Sequence, residues 1–324
     1  MTRVLVTGGA GYIGSVFVES LLKRVGDFEL FVVDNLSKGH RELIDPRAKF
    51  YEVDLTDFDS LLKVFEEVRP EIVLHFAALS EVGESQKFPE KYYRNNVFGG
   101  AVLLRVMKEL SCKKIVFSSS AAVYGEPAQV PISEDQGCSP INVYGRTKLL
   151  FEKMLKHYEA AYGFKYLSLR YFNAGGASDS GKYGEWHEPE SHLIPNVLKA
   201  AKEGRVFKIF GDDYATRDGT CLRDYIDVRD LAEAHILGMN YLLEGGDSEI
   251  LNLGSGEGYT VREIVELCRQ VTGVDFALEV YERRLGDPAA LLASNQRAAR
   301  LLNWQPKRAI LDTVKSAWLF ESGA

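Results

Sequence analysis

The stretch Thr7-Gly-Gly-Ala-Gly-Tyr-Ile-Gly-Ser15 follows directly on the apolar run RVLVT and opens an amphipathic segment from Tyr12 to Arg24. Gly8, Gly11 and Gly14 stand three residues apart. Glycine permits a tight strand-to-helix turn and lets a pyrophosphate approach backbone N–H groups at the positive end of a helix. A second apolar run, ELFVVD, then ends in Asp34, twenty residues after Gly14. Strand, glycine turn, helix, strand and acid together mark a dinucleotide-binding unit, which the glycines alone would not. A carboxylate there accepts hydrogen bonds from the adenosine ribose hydroxyls and repels a 2′-phosphate, so NAD is expected rather than NADP.

Outward from this unit the alternation continues: KFYEVD and Phe58 to Glu67, EIVLHFA and Tyr92 to Leu110, KKIVFSS and Tyr144 to Tyr162, then YLSLRYF ending at Phe172. Strands alternating with helical patterns imply crossover connections and a parallel sheet, here of about six βα units. The expected fold is α/β, a Rossmann-type doubly wound parallel sheet over residues 1–172, with a smaller mixed α/β substrate domain over 173–324. The boundary lies where the Gly-, Ser- and charge-rich stretch from Asn173 to Ser191 breaks the pattern. Residues of about 220–245 are expected to return to the first domain.

At 324 residues, 46% hydrophobic and 26% charged, the chain has the composition of a globular protein of about two domains. Thirty-nine basic against 46 acidic residues give a net charge of −7, which recruits neither nucleic acid nor an anionic membrane. The apolar runs fall far short of the roughly 20 residues that span a bilayer, and Met1 leads straight into a strand pattern without a secretory signal, so the cytoplasm is the expected compartment. Cys112, Cys138, Cys221 and Cys268 are scattered and read as reduced thiols; no Cys or His shows metal-ligand spacing, and no metal is expected.

Tyr144 and Lys148 stand at i and i+4, hence on one helix face. A tyrosine of ordinary pKa near 10 must fall by roughly 3 units to act as a base at neutral pH, which requires about 4 kcal/mol of preference for the phenolate. Lys148 and a positive nicotinamide ring have the right sign to supply it. Ser118, Ser119 and Ser120 end the fifth strand, at the carboxyl edge where open α/β sheets bind ligands. From there Ser120 can hydrogen-bond a substrate hydroxyl and hand its proton to Tyr144. Asp54, ending the third strand, is similarly placed to meet an adenine amino group.

With these residues in view, the chain resembles the extended short-chain dehydrogenases/reductases and, within them, the UDP-glucose 4-epimerases. TGGAGYIGS, VVDNLSKG, VDLTD, HFAAL, YYRNNV, SSSAAVYGE, NVYGRTK, LRYFNAGGA, HLIP, KIFGDDY, DYIDVRDLAEAH, LNLGSGEGYTV and RRLGDPAALLAS stand in that family's order over essentially the whole length. The resemblance implies NAD contacts from Gly8, Gly11, Tyr12, Ile13, Gly14, Asp34, Asn35, Leu36, Ser37, Lys38, Gly39, Asp54 and Leu55. It adds Phe76, Ala77, Ala78, Ser80, Asn95, Ser118, Tyr144, Lys148, Tyr171 and Phe172. The family often carries Lys where Ser80 stands. Tyr144 is implied as acid/base, Ser120 as its helper, and Lys148 as the residue that holds the nicotinamide ribose and lowers the tyrosine pKa.

For a UDP-sugar the resemblance implies contacts from Ser120, Tyr144, Asn173, His192, Leu193, Lys208, Ile209, Phe210, Arg223, Tyr225, Arg284 and Asp287, the arginines gripping the pyrophosphate with bidentate forks. Related 4,6-dehydratases place acids just after the catalytic Ser or Thr, whereas Ala121 and Ala122 stand here. The implied reaction interconverts UDP-galactose and UDP-glucose: proton to Tyr144, hydride from C4 to NAD, turnover of the 4-keto sugar, and return. 4-Epimerisation of another UDP-sugar is the alternative, and Leu291, where the family adjusts room around the sugar, is intermediate in size. A homodimer through the helices near Tyr92 to Leu110 and Tyr144 to Tyr162 is implied as well.

Overall fold

Val4, Leu5 and Val6 have no exposed surface, as befits a strand in the middle of a sheet with both faces covered. The computed structural model describes residues 1–24, 28–283 and 288–323. In chain order its strands are β1 (Thr2–Thr7), β2 (Phe28–Asp34), β3 (Lys49–Glu52), β4 (Ile72–His75), β5 (Lys114–Ser120), β6 (Lys165–Tyr171), β7 (Asn173–Gly175), β8 (Phe207–Phe210), β9 (Leu222–Asp227), β10 (Glu249–Leu253), β11 (Gly258–Thr260), β12 (Leu278–Tyr281) and β13 (Ala290–Leu291). The chain divides into two compact units, residues 1–125, 137–170 and 232–251 in the first and 126–136, 171–231 and 252–324 in the second.

A seven-stranded sheet in the order β10-β6-β5-β4-β1-β2-β3 carries the first unit. β1 pairs in parallel with β2 and β4, β2 with β3, and β4 with β5. The strand order reverses between β1 and β4, which opens a crevice beyond their carboxyl ends, the place where doubly wound sheets take ligands. On one face Leu61, Phe65, Leu103, Met107, Phe151 and Leu155 pack on Leu5, Phe31, Val73, Ile115 and Phe117. Each such fully buried side chain contributes about 1.5–3 kcal/mol. The sheet has one strand more than the six βα units expected, because β10, from the second half of the sequence, pairs beside β6.

In the second unit β9 pairs with β7, β11 and β13, and β8 with β12. Helices Leu193–Glu203, Val261–Thr272 and Ile310–Ser322 close its core around Val197, Leu198, Ile264, Cys268 and Val314. The second helix starts at a reciprocal capping box between Thr260 and Glu263. The return expected for about 220–245 is therefore narrower: β9 stays in the second unit, and the first regains the chain only at Ala232, inside the helix Val228–Leu243. The alternating apolar pattern of that segment gives strand and helix but not the partner sheet.

Helix Val143–Tyr162 is anchored by charge as well as by packing. Glu152 accepts two hydrogen bonds from Arg170, at 2.9 and 2.6 Å, and one from Ser119 Oγ at 2.5 Å; Arg170 also donates to Tyr124 Oη at 2.9 Å. Their side chains are only 4% and 3% exposed. Removing one partner of such a pair strands a buried charge. Glu152→Ala is expected to lose about 3–5 kcal/mol of stability, measured by urea unfolding; a loss under about 1 kcal/mol, the range of a surface pair, would mean the pair does not anchor the helix.

Candidate active site

Gly8 has φ +77°, and a Cβ there would stand 2.4 Å from the Ala77 nitrogen. At Gly14 a Cβ would stand 2.2 Å from the Gly8 carbonyl oxygen. Both positions are closed to any other residue without moving backbone. The turn thereby lies flat against Phe76–Ala77, whose N–H groups both donate to Thr7 O. Gly11 is the N-cap of helix Tyr12–Leu22 and no side chain caps that first turn, the arrangement in which a helix start receives an anion.

The segment after β2 folds back on this turn. Asp34 accepts hydrogen bonds from Ala10 N at 3.1 Å and Leu36 N at 2.9 Å, and His40 N donates to Ala10 O at 2.9 Å. Burial raises the Asp34 pKa against the backbone donors from Leu36, Ala10 and Asn35. Leu36 adopts φ +56°, and Ser37 N donates to Asn35 Oδ1. Gly39 packs so close to Ala10 that a Cβ would meet it at 2.9 Å. Asn35 Nδ2 donates to Asp54 Oδ2 at 2.8 Å, and Thr56 donates twice to Asp54 Oδ1. Although burial opposes it, these bonds hold the Asp54 carboxyl below its ordinary range.

Ser118, Ser119 and Ser120 end β5 and lead into the 3₁₀ turn Ala121–Val123. Asn142 caps the helix Val143–Tyr162 through Gly145 N at 2.8 Å, which sets Tyr144 and Lys148 in its first turns. Tyr144 is hydrogen-bonded to Ser120. Lys148, 3% exposed, donates to Ser118 O at 2.6 Å and lies 5.0 Å above the Phe117 ring and 5.7 Å from the Tyr144 ring. Serine, tyrosine and lysine thus meet at the carboxyl edge of the sheet.

Without a dinucleotide, burial dominates the protonation of both groups. Burial pushes the Tyr144 phenol up to about 12; the Ser120 hydrogen bond opposes this and Glu81 adds to it. Burial pulls the Lys148 ammonium down to about 7, with Glu152 holding it up in part. The protein's own groups therefore leave Tyr144 a phenol, and activation needs a further cation beside it.

Several supporting residues escaped the sequence reading. The expected helix from Tyr92 is broken: after Pro89–Tyr92 the chain makes a π-helical turn, Tyr93–Phe98, before Gly99–Glu109. Asn95 and Asn96 lie in that turn. Asn96 accepts from Leu79 N, donates to Leu79 O and reaches Thr147 Oγ1 at 3.0 Å, while Asn95 donates to Asn96. One amide thus ties the Phe76–Ser80 segment to the Tyr144 helix. Ser85 Oγ and Gln86 Oε1 accept from Tyr144 N and Val143 N. The sequence pattern here continues as a plain helix, and only the structure shows the π turn, a feature that gathers at functional positions.

In the second unit, Tyr171 and Phe172 are buried, and Asn173 and Tyr225 are register partners across β7 and β9. Arg223 on β9 donates to Leu222 O at 2.8 Å and is the register partner of Leu291. Its neighbour Asp224 accepts N–H bonds from Ser255, Gly256 and Ala293. On β8, Lys208, Ile209 and Phe210 lie beside β12, with Lys208 Nζ 4.7 Å from the Tyr281 ring. His192 and Leu193 start the helix Leu193–Glu203. Arg284 and Asp287 lie outside the described residues. Glu185, His187, Glu190 and His192, which spacing in the sequence does not single out, come together.

A glycine-turn doubly wound sheet with Ser, Tyr and Lys at its carboxyl edge defines a nicotinamide-dependent protein of the short-chain dehydrogenase type. Residues 4–254 match the model of the NAD dependent epimerase/dehydratase family, and the chain belongs to that family. It is 51% identical over 317 residues to the UDP-glucose 4-epimerase of Halalkalibacterium halodurans, covering 97% of this chain and 94% of that protein. With the UDP-glucose 4-epimerase of Lactobacillus helveticus it shares 48% over 318 residues, covering 98% and 96%. Among solved structures, that of UDP-glucose 4-epimerase from Brucella ovis in complex with NAD matches with a TM-score of 0.94 at 44% identity over 99% of both chains. The Bifidobacterium longum UDP-glucose 4-epimerase in complex with NAD+ and UDP matches with a TM-score of 0.92 at 37% identity over 99% and 98%.

Tyr144 is expected to titrate near 12 in protein stripped of dinucleotide. A bound oxidised nicotinamide, being positive, favours the phenolate and moves that value down. Ultraviolet difference titration of wild type against Tyr144→Phe, with and without NAD+, checks both; a value below 10 in the stripped protein would refute the account by burial.

Proposed function

We propose that the chain interconverts UDP-galactose and UDP-glucose through a transient 4-keto sugar with tightly bound NAD. The observation that carries the reading is the Ser120–Tyr144 hydrogen bond beside Lys148, with the buried methyl of Ala121, and Ala122, where elimination of water would need an acid. The closed Gly8–Gly14 turn and the uncapped helix start behind it fit a pyrophosphate. Asp34 to Gly39 fit the adenosine ribose, and Asp54 with Leu55 the adenine. Phe76 to Ser80, Asn95 and Ser118 line the path toward Lys148, which takes the nicotinamide ribose.

Bound NAD supplies a hydride acceptor and donor at C4 of the sugar. Ser120 orients the 4-hydroxyl and passes its proton to Tyr144, whose phenolate is stabilised by the neighbouring positive charges. Tyr144 keeps that proton while the keto sugar turns, then returns it to the oxygen of the other epimer. Lys148, pulled toward neutrality by burial, takes a proton more readily once the phenolate forms beside it. In the second unit Asn173, His192, Leu193, Lys208 to Phe210, Arg223 and Tyr225 take the UDP part, Arg223 as a guanidinium fork for phosphate oxygens. A homodimer accords with the exposed Tyr93 and Phe98 of the π turn and Leu150 and Tyr162 of the Tyr144 helix.

Incubation with UDP-galactose, UDP-N-acetylgalactosamine, UDP-xylose and UDP-glucuronate, with products identified by proton NMR, tests the reading. UDP-glucose is expected from the first at the highest rate, and accumulation of a 4-keto product without epimer would overturn it. Tyr144→Phe should lower turnover by roughly 10² or more while NAD stays bound; near-normal turnover would remove Tyr144 from its role.

A further inference from the structure

Glu185, His187, Glu190 and His192 belong to the loop that runs into the helix Leu193–Glu203, and the four place one ligand atom each within 4.8 Å of the others. His187 Nδ1 lies 3.3 Å from Glu185 Oε1 and 3.8 Å from Glu190 Oε1. His192 Nδ1 lies 3.7 Å from Glu190 Oε1 and contacts Glu185 Oε1 directly. A tetrahedral zinc ion with bonds of about 2.0–2.1 Å separates its ligand atoms by about 3.3 Å. Three of these four gaps therefore lie close to the edges of a coordination shell.

Two further features set the cluster apart from an ordinary set of ion pairs. The side chains of Glu185 and Glu190 are only 6% and 4% exposed, and among the described residues no Lys or Arg pairs with either. Two buried carboxylates this close repel one another unless positive charge lies between them, from the two imidazoles or from a metal ion. His187 Nδ1 and Glu190 Oε2 are also buried without a hydrogen-bond partner, and a buried polar atom left unmatched is costly. A divalent cation answers both features at once.

We propose that this loop binds one zinc ion through His187 Nδ1, His192 Nδ1 and the carboxylates of Glu185 and Glu190. Two imidazoles and two carboxylates are borderline donors suited to zinc, and four protein ligands make a closed, structural site rather than one with an open catalytic position. The ion pins the irregular loop to the start of the helix Leu193–Glu203. The ion takes no part in the hydride and proton transfers, and its ligand set does not depend on the epimerase reading, although His192 is also set beside the UDP part there.

The test loads the full-length protein, dialysed against a chelator, with zinc chloride and follows binding by calorimetry and metal analysis. One zinc per chain with a Kd below about 1 μM is expected, as for structural zinc, together with a rise in the thermal midpoint. X-ray absorption should show nitrogen and oxygen ligands at about 2.0–2.1 Å. His187→Ala and the isosteric Glu190→Gln should each weaken binding at least tenfold, the second without loss of packing. Substoichiometric binding, or unchanged affinity in both variants, would overturn the site. So would ¹⁵N spectra of His187 and His192 that keep the doubly protonated signature at saturating zinc, because they would show a pair of imidazolium–carboxylate contacts instead.

Discussion

A lysine ammonium with almost no solvent contact is costly wherever it lies, and the edge of the first unit is built around keeping Lys148 there. The Ser118 carbonyl accepts one of its hydrogen bonds, the Phe117 ring lies beneath it, and Glu152 lends its negative charge from one turn further along the helix. Glu152 can do so only because Arg170 and Ser119 hold it in place. The buried lysine thus rests on a buried ion pair, Glu152 with Arg170, and that pair joins helix Val143–Tyr162 to β5 and β6.

Stability and chemistry pull in opposite directions here. Burial raises Tyr144 and depresses Lys148, so the protein alone shifts both toward their neutral forms. The proposed catalysis by this pair wants the reverse, phenolate beside ammonium. A dinucleotide whose oxidised ring is positive changes the balance at the moment it is needed and withdraws the charge when the ring is reduced, which couples proton and hydride movements through electrostatics. Glu81, whose charge raises Tyr144 further, strengthens that dependence.

The glycine turn shows a second constraint of the same kind. Its contacts with the Ala77 nitrogen and within the turn itself leave no volume for a side chain. The residues chosen there serve packing first, and the anion site at the helix start follows from that packing. From the π turn Tyr93–Phe98, Asn96 works in a similar way, closing one amide on the Leu79 backbone and reaching Thr147, so that the segment after β4 and the helix Val143–Tyr162 share a fastening.

Much of this was legible in the order of residues, because it depends on neighbours in the chain. Gly8, Gly11 and Gly14 after an apolar run, Asp34 at the end of the next one, and Tyr144 four residues before Lys148 are local patterns whose geometry follows from strand and helix repeats. By itself the sequence thus determined the doubly wound sheet and the use of NAD, and it singled out the residues on which the proposed reactive site rests. What only the tertiary structure decided are features made by partners far apart: β10 beside β6, β9 in the second sheet, the Glu152–Arg170 anchor and the Asn96 fastening. It also decided the direction of the Tyr144 shift and the meeting of Glu185, His187, Glu190 and His192. Spacing tells which side chains share a face, whereas burial and the approach of distant segments set the solvent and the charges around them, and those govern a proton's affinity or a metal's.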